Sequence, residues 1–114
     1  MDMTITFVMN HPAFQSNSSK VVRQIFHDIW KKCSSGDTQG PINMNGVIIG
    51  RWDTAVGNLR EKPNMVITFE IEGIKINADE IHRILDEIAL EYESGKTDGT
   101  IFKERPIGLW RINS

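Results

Sequence analysis

"SKVVRQIFHDIWKKCSSG", residues 19–36, is the stretch that decides the fold. Its apolar residues Val21, Val22, Ile25, Phe26, Ile29, Trp30 and Cys33 recur at helical spacing over about three and a half turns. Ser18 or Ser19 can accept from a free amide at the start. Gly36 can take the left-handed position at the end. Lys31 and Lys32 fall in the last turn, where the helix dipole favours cations. An amphipathic helix of this kind needs an apolar surface to cover, and the flanking segments supply one.

Upstream, "TITFVM" (4–9) is β-branched and aromatic, with Ile5, Phe7 and Met9 alternating as on a strand with one buried face. Pro12 stops it, and "NHPAFQSNSS" (10–19) supplies turns and a helix cap. Downstream of a loop at 37–40, Asn45-Gly46 sits between apolar stretches. That pair favours a two-residue hairpin turn, because both positions need positive φ. Strands are expected near 42–44 and 47–53. Residues 55–64 form a polar loop with Gly57 and Pro63.

"MVITFEIEGIKIN" (65–77) reads as a second hairpin. With Glu72-Gly73 as the turn, Ile71 faces Ile74 and Phe69 faces Ile76. One continuous strand kinked at Gly73 is the competing reading. Asn77 then caps a second helix, with Glu80 placed for a capping box. Ile81, Ile84, Leu85, Ile88 and Tyr92 are its apolar stripe, and Gly95 ends it. A turn-rich loop at 95–100 leads to a last strand around 107–112, with Pro106 interrupting before it.

The predicted order is β-α-β-β-β-β-α-β, with no internal repeat and no linker. Such a chain folds as one α+β domain spanning 1–114. Its antiparallel or mixed sheet has about five or six strands, with both amphipathic helices on one face. The length of 114 residues suits one domain. A net charge of −2 argues against a dedicated non-specific nucleic-acid binder. A single cysteine, Cys33, allows no intramolecular disulfide and fits a reducing compartment. No signal peptide or membrane-length apolar run is evident, so a cytoplasmic protein without membrane contact is expected. An exposed sheet edge or face could make it a homodimer.

Charge is polarised along the chain. Asp79, Glu80, Asp86, Glu87, Glu91 and Glu93, with Glu70 and Glu72 upstream, face only Lys75 and Arg83. The first helix is biased the other way, with Lys20, Arg23, Lys31 and Lys32 against Asp28. The acids can be the solvated face of a helix that complements its basic neighbour. They can instead be a docking surface for a basic protein partner, carried by Glu80, Asp86, Glu87, Glu91 and Glu93. A catalytic or metal reading rests on Asp79, His82 and Asp86, which share one helix flank. The first helix, however, offers only His27-Asp28, so no metal and no cofactor are expected.

The other chemistry-bearing residues point nowhere specific. His11 ends a strand without a serine or cysteine nucleophile placed beside it, and His27 falls on the polar side of its helix. Cys33 lies on the apolar stripe as a core residue. No Gly-rich phosphate loop is present. Arg51, Trp52, Arg60, Lys62, Lys103, Arg105, Trp110 and Arg111 form a basic-aromatic set that could stack bases and hold phosphates. Alternation would equally bury each tryptophan and turn its arginine neighbour to water.

The sequence therefore favours a small non-enzymatic protein-interaction module, such as an inhibitor, immunity or accessory protein. The alternatives are a nucleic-acid-binding domain using the Arg/Trp set, and a small ligand-binding or enzymatic fold with a pocket between helix and sheet.

Overall fold

The computed structural model describes residues 2–54, 65–70 and 77–112. The elements are β1 (Asp2–Phe7), α1 (Ala13–Ser34), β2 (Gln39–Met44), β3 (Val47–Asp53), β4 (Met65–Glu70), α2 (Ala78–Glu93), β5 (Asp98–Lys103) and β6 (Arg105–Ile112). All six strands join one antiparallel sheet in the order β2-β3-β1-β4-β6-β5. The expected α+β architecture is therefore present, with the sheet wholly antiparallel. The proposed turn at Glu72-Gly73 and the strand after it lie outside the described residues.

That strand order reads the same from either edge once β1 is matched with β4, β2 with β5, and β3 with β6. Among the described residues, each half of the chain is a β-α-β-β unit, and the two meet along β1 and β4. The expectation of no internal repeat is thus corrected. "SGDTQG" (35–40) has its counterpart in "SGKTDG" (94–99), and "IGRW" (49–52) in "IGLW" (107–110).

The matching extends to the helix ends. Both helices close with a Schellman turn. Gly36 N donates to Cys33 O and Asp37 N to Lys32 O, as Gly95 N does to Tyr92 O and Lys96 N to Glu91 O. Both glycines have positive φ, as their position requires. The buried stripe Val22, Ile25, Phe26, Ile29, Cys33 matches Ile81, Ile84, Leu85, Ile88 and the half-buried Tyr92 in spacing.

Across the sheet, one row of paired positions runs Gly40, Trp52, Ile5, Ile67, Trp110, Gly99. The two tryptophans and two isoleucines in it are fully buried, and the glycines at its ends leave room for the indoles. These side chains join the two helix stripes in a single core. On the opposite face a parallel row runs Pro41, Arg51, Thr6, Val66, Arg111, Asp98.

Three local readings change. Helix α1 starts at Ala13 and kinks at Asn17, whose φ of −158° is extended. The Asn17 side chain then accepts from Lys20 N at 3.1 Å, so Asn17, not Ser18 or Ser19, caps the long segment. Residues 98–100, expected as loop, begin β5. Pro106 lies inside β6, beside the register shift at Ile101/Phe102, where a missing N–H costs the ladder little. The hairpin turn at Asn45-Gly46, the cap at Gly36 and the cap at Asn77 are as expected; Asn77 Oδ1 accepts from Asp79 N and Glu80 N.

Two glycines mark where a strand crosses its neighbour too closely for any side chain. A Cβ at Gly50 would lie 2.0 Å from Thr6 O, and one at Gly108 would lie 2.1 Å from Thr68 O. Gly50→Ala and Gly108→Ala should each destabilise the fold by about 3 kcal/mol, the upper range for overpacking. Gly46→Ala, where the added carbon meets open space, should cost about 1 kcal/mol for its positive φ alone. Urea denaturation of the three variants checks this ranking.

Candidate binding surface

The two helices lie antiparallel over the sheet. The start of α1 meets the end of α2, where Arg23 pairs with Asp86 and Glu93 and Ser18 accepts from the Tyr92 hydroxyl at 3.0 Å. The end of α1 meets the start of α2, where Trp30 packs edge-on against His82, ring centres 5.1 Å apart. This arrangement follows from the chain reversal that relates the halves. It brings Arg23 of one helix onto Asp86 and Glu93 of the other.

The acids singled out from the sequence consequently separate. Arg23 forms a fork, donating Nη1 to Asp86 Oδ1 at 3.1 Å and both Nε and Nη2 to the Glu93 carboxylate. This holds the Glu93 carboxyl below the usual carboxylate range and pushes the Arg23 guanidinium higher still. Glu87 pairs with Arg83 of its own helix at 2.9 Å. Glu91 accepts from Trp110 Nε1 at 2.7 Å, with Lys96 Nζ at 3.8 Å on its other oxygen. Glu80 is buried, and its Oε1 lies 3.0 Å from Lys103 Nζ of β5 as an ion pair without hydrogen-bond alignment. Asp86, Glu87 and Glu93 share the outer helical face; Glu80 and Glu91 belong to the packing of α2 on the β5–β6 hairpin.

The basic-aromatic set is divided by the sheet. Trp52 and Trp110 face the helices and are buried, so neither is presented for stacking on bases. Arg51 and Arg111 are on the open face, where Arg51 Nη2 bonds Gln39 and Asp53 at 2.9 and 3.0 Å. Lys103 is engaged with Glu80, Arg105 is exposed at the start of β6, and Arg60 and Lys62 lie outside the described residues.

His11 Nδ1 accepts from Ala13 N at 3.1 Å and so ties down the start of α1. Among the described residues no three His, Cys, Asp or Glu side chains gather to hold a metal ion. Asp79, His82 and Asp86 do not converge on one point, since Asp86 is drawn to Arg23. Cys33 is buried, and burial together with the Asp37 charge pushes its thiol up to about 11, as suits a packing residue.

The residue whose role periodicity concealed is Trp30. Its spacing puts it on the apolar stripe of α1, yet it is only partly buried, with His27 at 5.5 Å and His82 at 5.1 Å between ring centres. Its indole Nε1 is buried without a hydrogen-bond partner among the described residues. Arg23, Phe26, His27, Trp30, His82 and Asp86 line a groove of about 220 Å³ between the helices. The only sequence sign was Trp30 at the polar margin of the stripe, beside His27.

No family model, no curated protein and no solved structure matches this chain. No helix among the described residues is long and apolar enough to cross a membrane.

The Arg23–Glu93 pair fixes the sign of one pH effect. A carboxylate with its native pKa lowered adds stability above its ordinary pKa and loses it as pH falls through the lowered value. Arg23→Ala should return Glu93 to the usual carboxylate range and flatten the acid limb of the stability curve. Carboxyl NMR titration and acid denaturation read both effects. Glu91→Ala should cost about 1–3 kcal/mol by orphaning the Trp110 indole, whereas Glu91→Gln, which keeps an acceptor, should cost less in thermal denaturation.

Proposed function

We propose that this protein is a non-enzymatic interaction module that binds another protein through the outer face of its helix pair. The observation that carries this reading is Trp30, a partly exposed indole packed between two imidazoles in the wall of the inter-helix groove, its N–H without a hydrogen-bond partner among the described residues. Tryptophan and arginine dominate the energetics of protein interfaces, and an anchor already held by its neighbours loses little freedom on binding. Arg23 supplies a guanidinium at the same groove.

The acids are the rim of this surface. Asp86 and Glu87 remain about half-exposed despite their internal pairs. Rim carboxylates favour approach by a basic partner and tune the on-rate more than the affinity. The outer helical face thus combines an aromatic anchor with an acidic margin, as an inhibitor or accessory protein directed at a basic surface would need. Nucleic-acid binding has less to support it, because with both tryptophans buried the members of that set on the open sheet face, among the described residues, are Arg51 and Arg111.

Capture from host lysate by wild-type protein, beside Trp30→Ala and Asp86→Lys, tests the reading. The prediction is one protein retained by the wild type, lost with Trp30→Ala and weakened with Asp86→Lys in proportion to low salt. Capture by both variants of everything the wild type captures would remove the helical face from consideration.

A further inference from the structure

The two halves of the chain treat their tryptophans differently. In the second half, Trp110 Nε1 donates to Glu91 Oε2 at 2.7 Å, and the site is closed. A Cβ at Gly99 would stand 2.5 Å from that nitrogen and 2.6 Å from that oxygen. The carboxylate of α2 thus fills the space over the edge-strand glycine.

In the first half, the position matching Glu91 holds Lys32. Trp52 is fully buried, and its Nε1 has no hydrogen-bond partner among the described residues. A Cβ at Gly40 would stand 3.1 Å from Trp52 Nε1 and 3.7 Å from Lys32 Nζ, so two donors converge on one point. The acceptor near Lys32 Nζ is Pro41 O, at 3.5 Å, which is the limit of a hydrogen bond. Here the helix and hairpin leave a groove of about 350 Å³, with Ile25, Ile29, Ile42, Lys31, Lys32 and Trp52 in its wall. Asp28, also at the wall, takes a hydrogen bond from Gln24 of its own helix at 3.1 Å.

Buried donors in native proteins are almost always satisfied, and a charge-assisted acceptor is the strongest way to satisfy an indole beside an ammonium. We propose that the groove between α1 and the β2–β3 hairpin is a binding site for a carboxylate on an apolar stem. One carboxylate oxygen accepts from Trp52 Nε1 and the group pairs with Lys32 Nζ, while Ile25, Ile29 and Ile42 cover the stem. The ligand does from outside what Glu91 does for Trp110 from within. Two sources carry this chemistry, a small free organic acid and the Glu or Asp side chain of a peptide.

The chain has three tryptophans, so its indole N–H signals can be followed one by one, with Trp52→Phe assigning the relevant one. The full chain is titrated with butyrate in one arm and with a capped peptide bearing a central glutamate in the other. The Trp52 indole proton should move downfield and saturate, while the Trp110 proton, already bonded, stays. Response to butyrate identifies a free acid as sufficient; response to the peptide alone identifies a partner's side chain. Lys32→Ala should weaken the response at least tenfold. Lys32→Glu should move the Trp52 signal without ligand and abolish the response, since it recreates the Glu91 arrangement. If neither probe moves the Trp52 indole in the wild type, the site is not a carboxylate site, whatever Lys32→Glu shows.

Discussion

The structure depends on the pairing of β1 with β4, and above all on Ile5 opposite Ile67. This is the place where two β-α-β-β units share one sheet. Everything outward of it is set by the register. Trp52 and Trp110 flank the isoleucine pair, and Gly40 and Gly99 lie beyond them. A slip of one residue would turn every one of these side chains to the opposite face. The four large side chains of that row are buried under the two helices, so hydrophobic burial enforces the register more firmly than the ladder hydrogen bonds alone.

The same reversal of direction at β1 and β4 lays the helices antiparallel and side by side. Opposite charge biases then meet: Arg23 of α1 reaches Asp86 and Glu93 of α2. What remains at the surface between the helices is an aromatic and imidazole cluster around Trp30. The halves share a backbone and diverge in chemistry. Lys32 and Glu91 occupy matching places under opposite signs, and that one exchange closes one indole site and leaves its counterpart without a hydrogen-bond partner among the described residues. Equivalent frames with different decorations let a small chain present two distinct surfaces without a second domain.

Much of this architecture was legible because it rests on periodicity and on residues with few alternatives. The spacing of Val22, Ile25, Phe26, Ile29 and Cys33 could only be a buried helix face, and Gly36, Asn45-Gly46 and Asn77 stop or start elements through their own backbone chemistry. Residues 98–100 read as loop because Asp98 and Gly99 are turn residues by local preference. Gly99 is there instead to admit the Trp110 indole, a tertiary reason invisible locally. The duplication is faint in the sequence because the halves agree mainly where the backbone demands it, at "SGDTQG" and "SGKTDG" and at the two Ile-Gly-x-Trp runs, while the surface charges invert. The candidate sites were the least legible part. An acidic helix shows its charge in the sequence, but Arg23, seventy positions from Glu93, decides which of those acids is already engaged.

The claim that two matched units are joined along their first strands can be tested directly by a cross-strand NOE map of the sheet. It should show contacts placing Ile5 opposite Ile67, Trp52 opposite both Ile5 and Gly40, and Trp110 opposite both Ile67 and Gly99. Contacts placing β1 at a sheet edge, or pairing it with β4 one residue out of this register, would contradict the account.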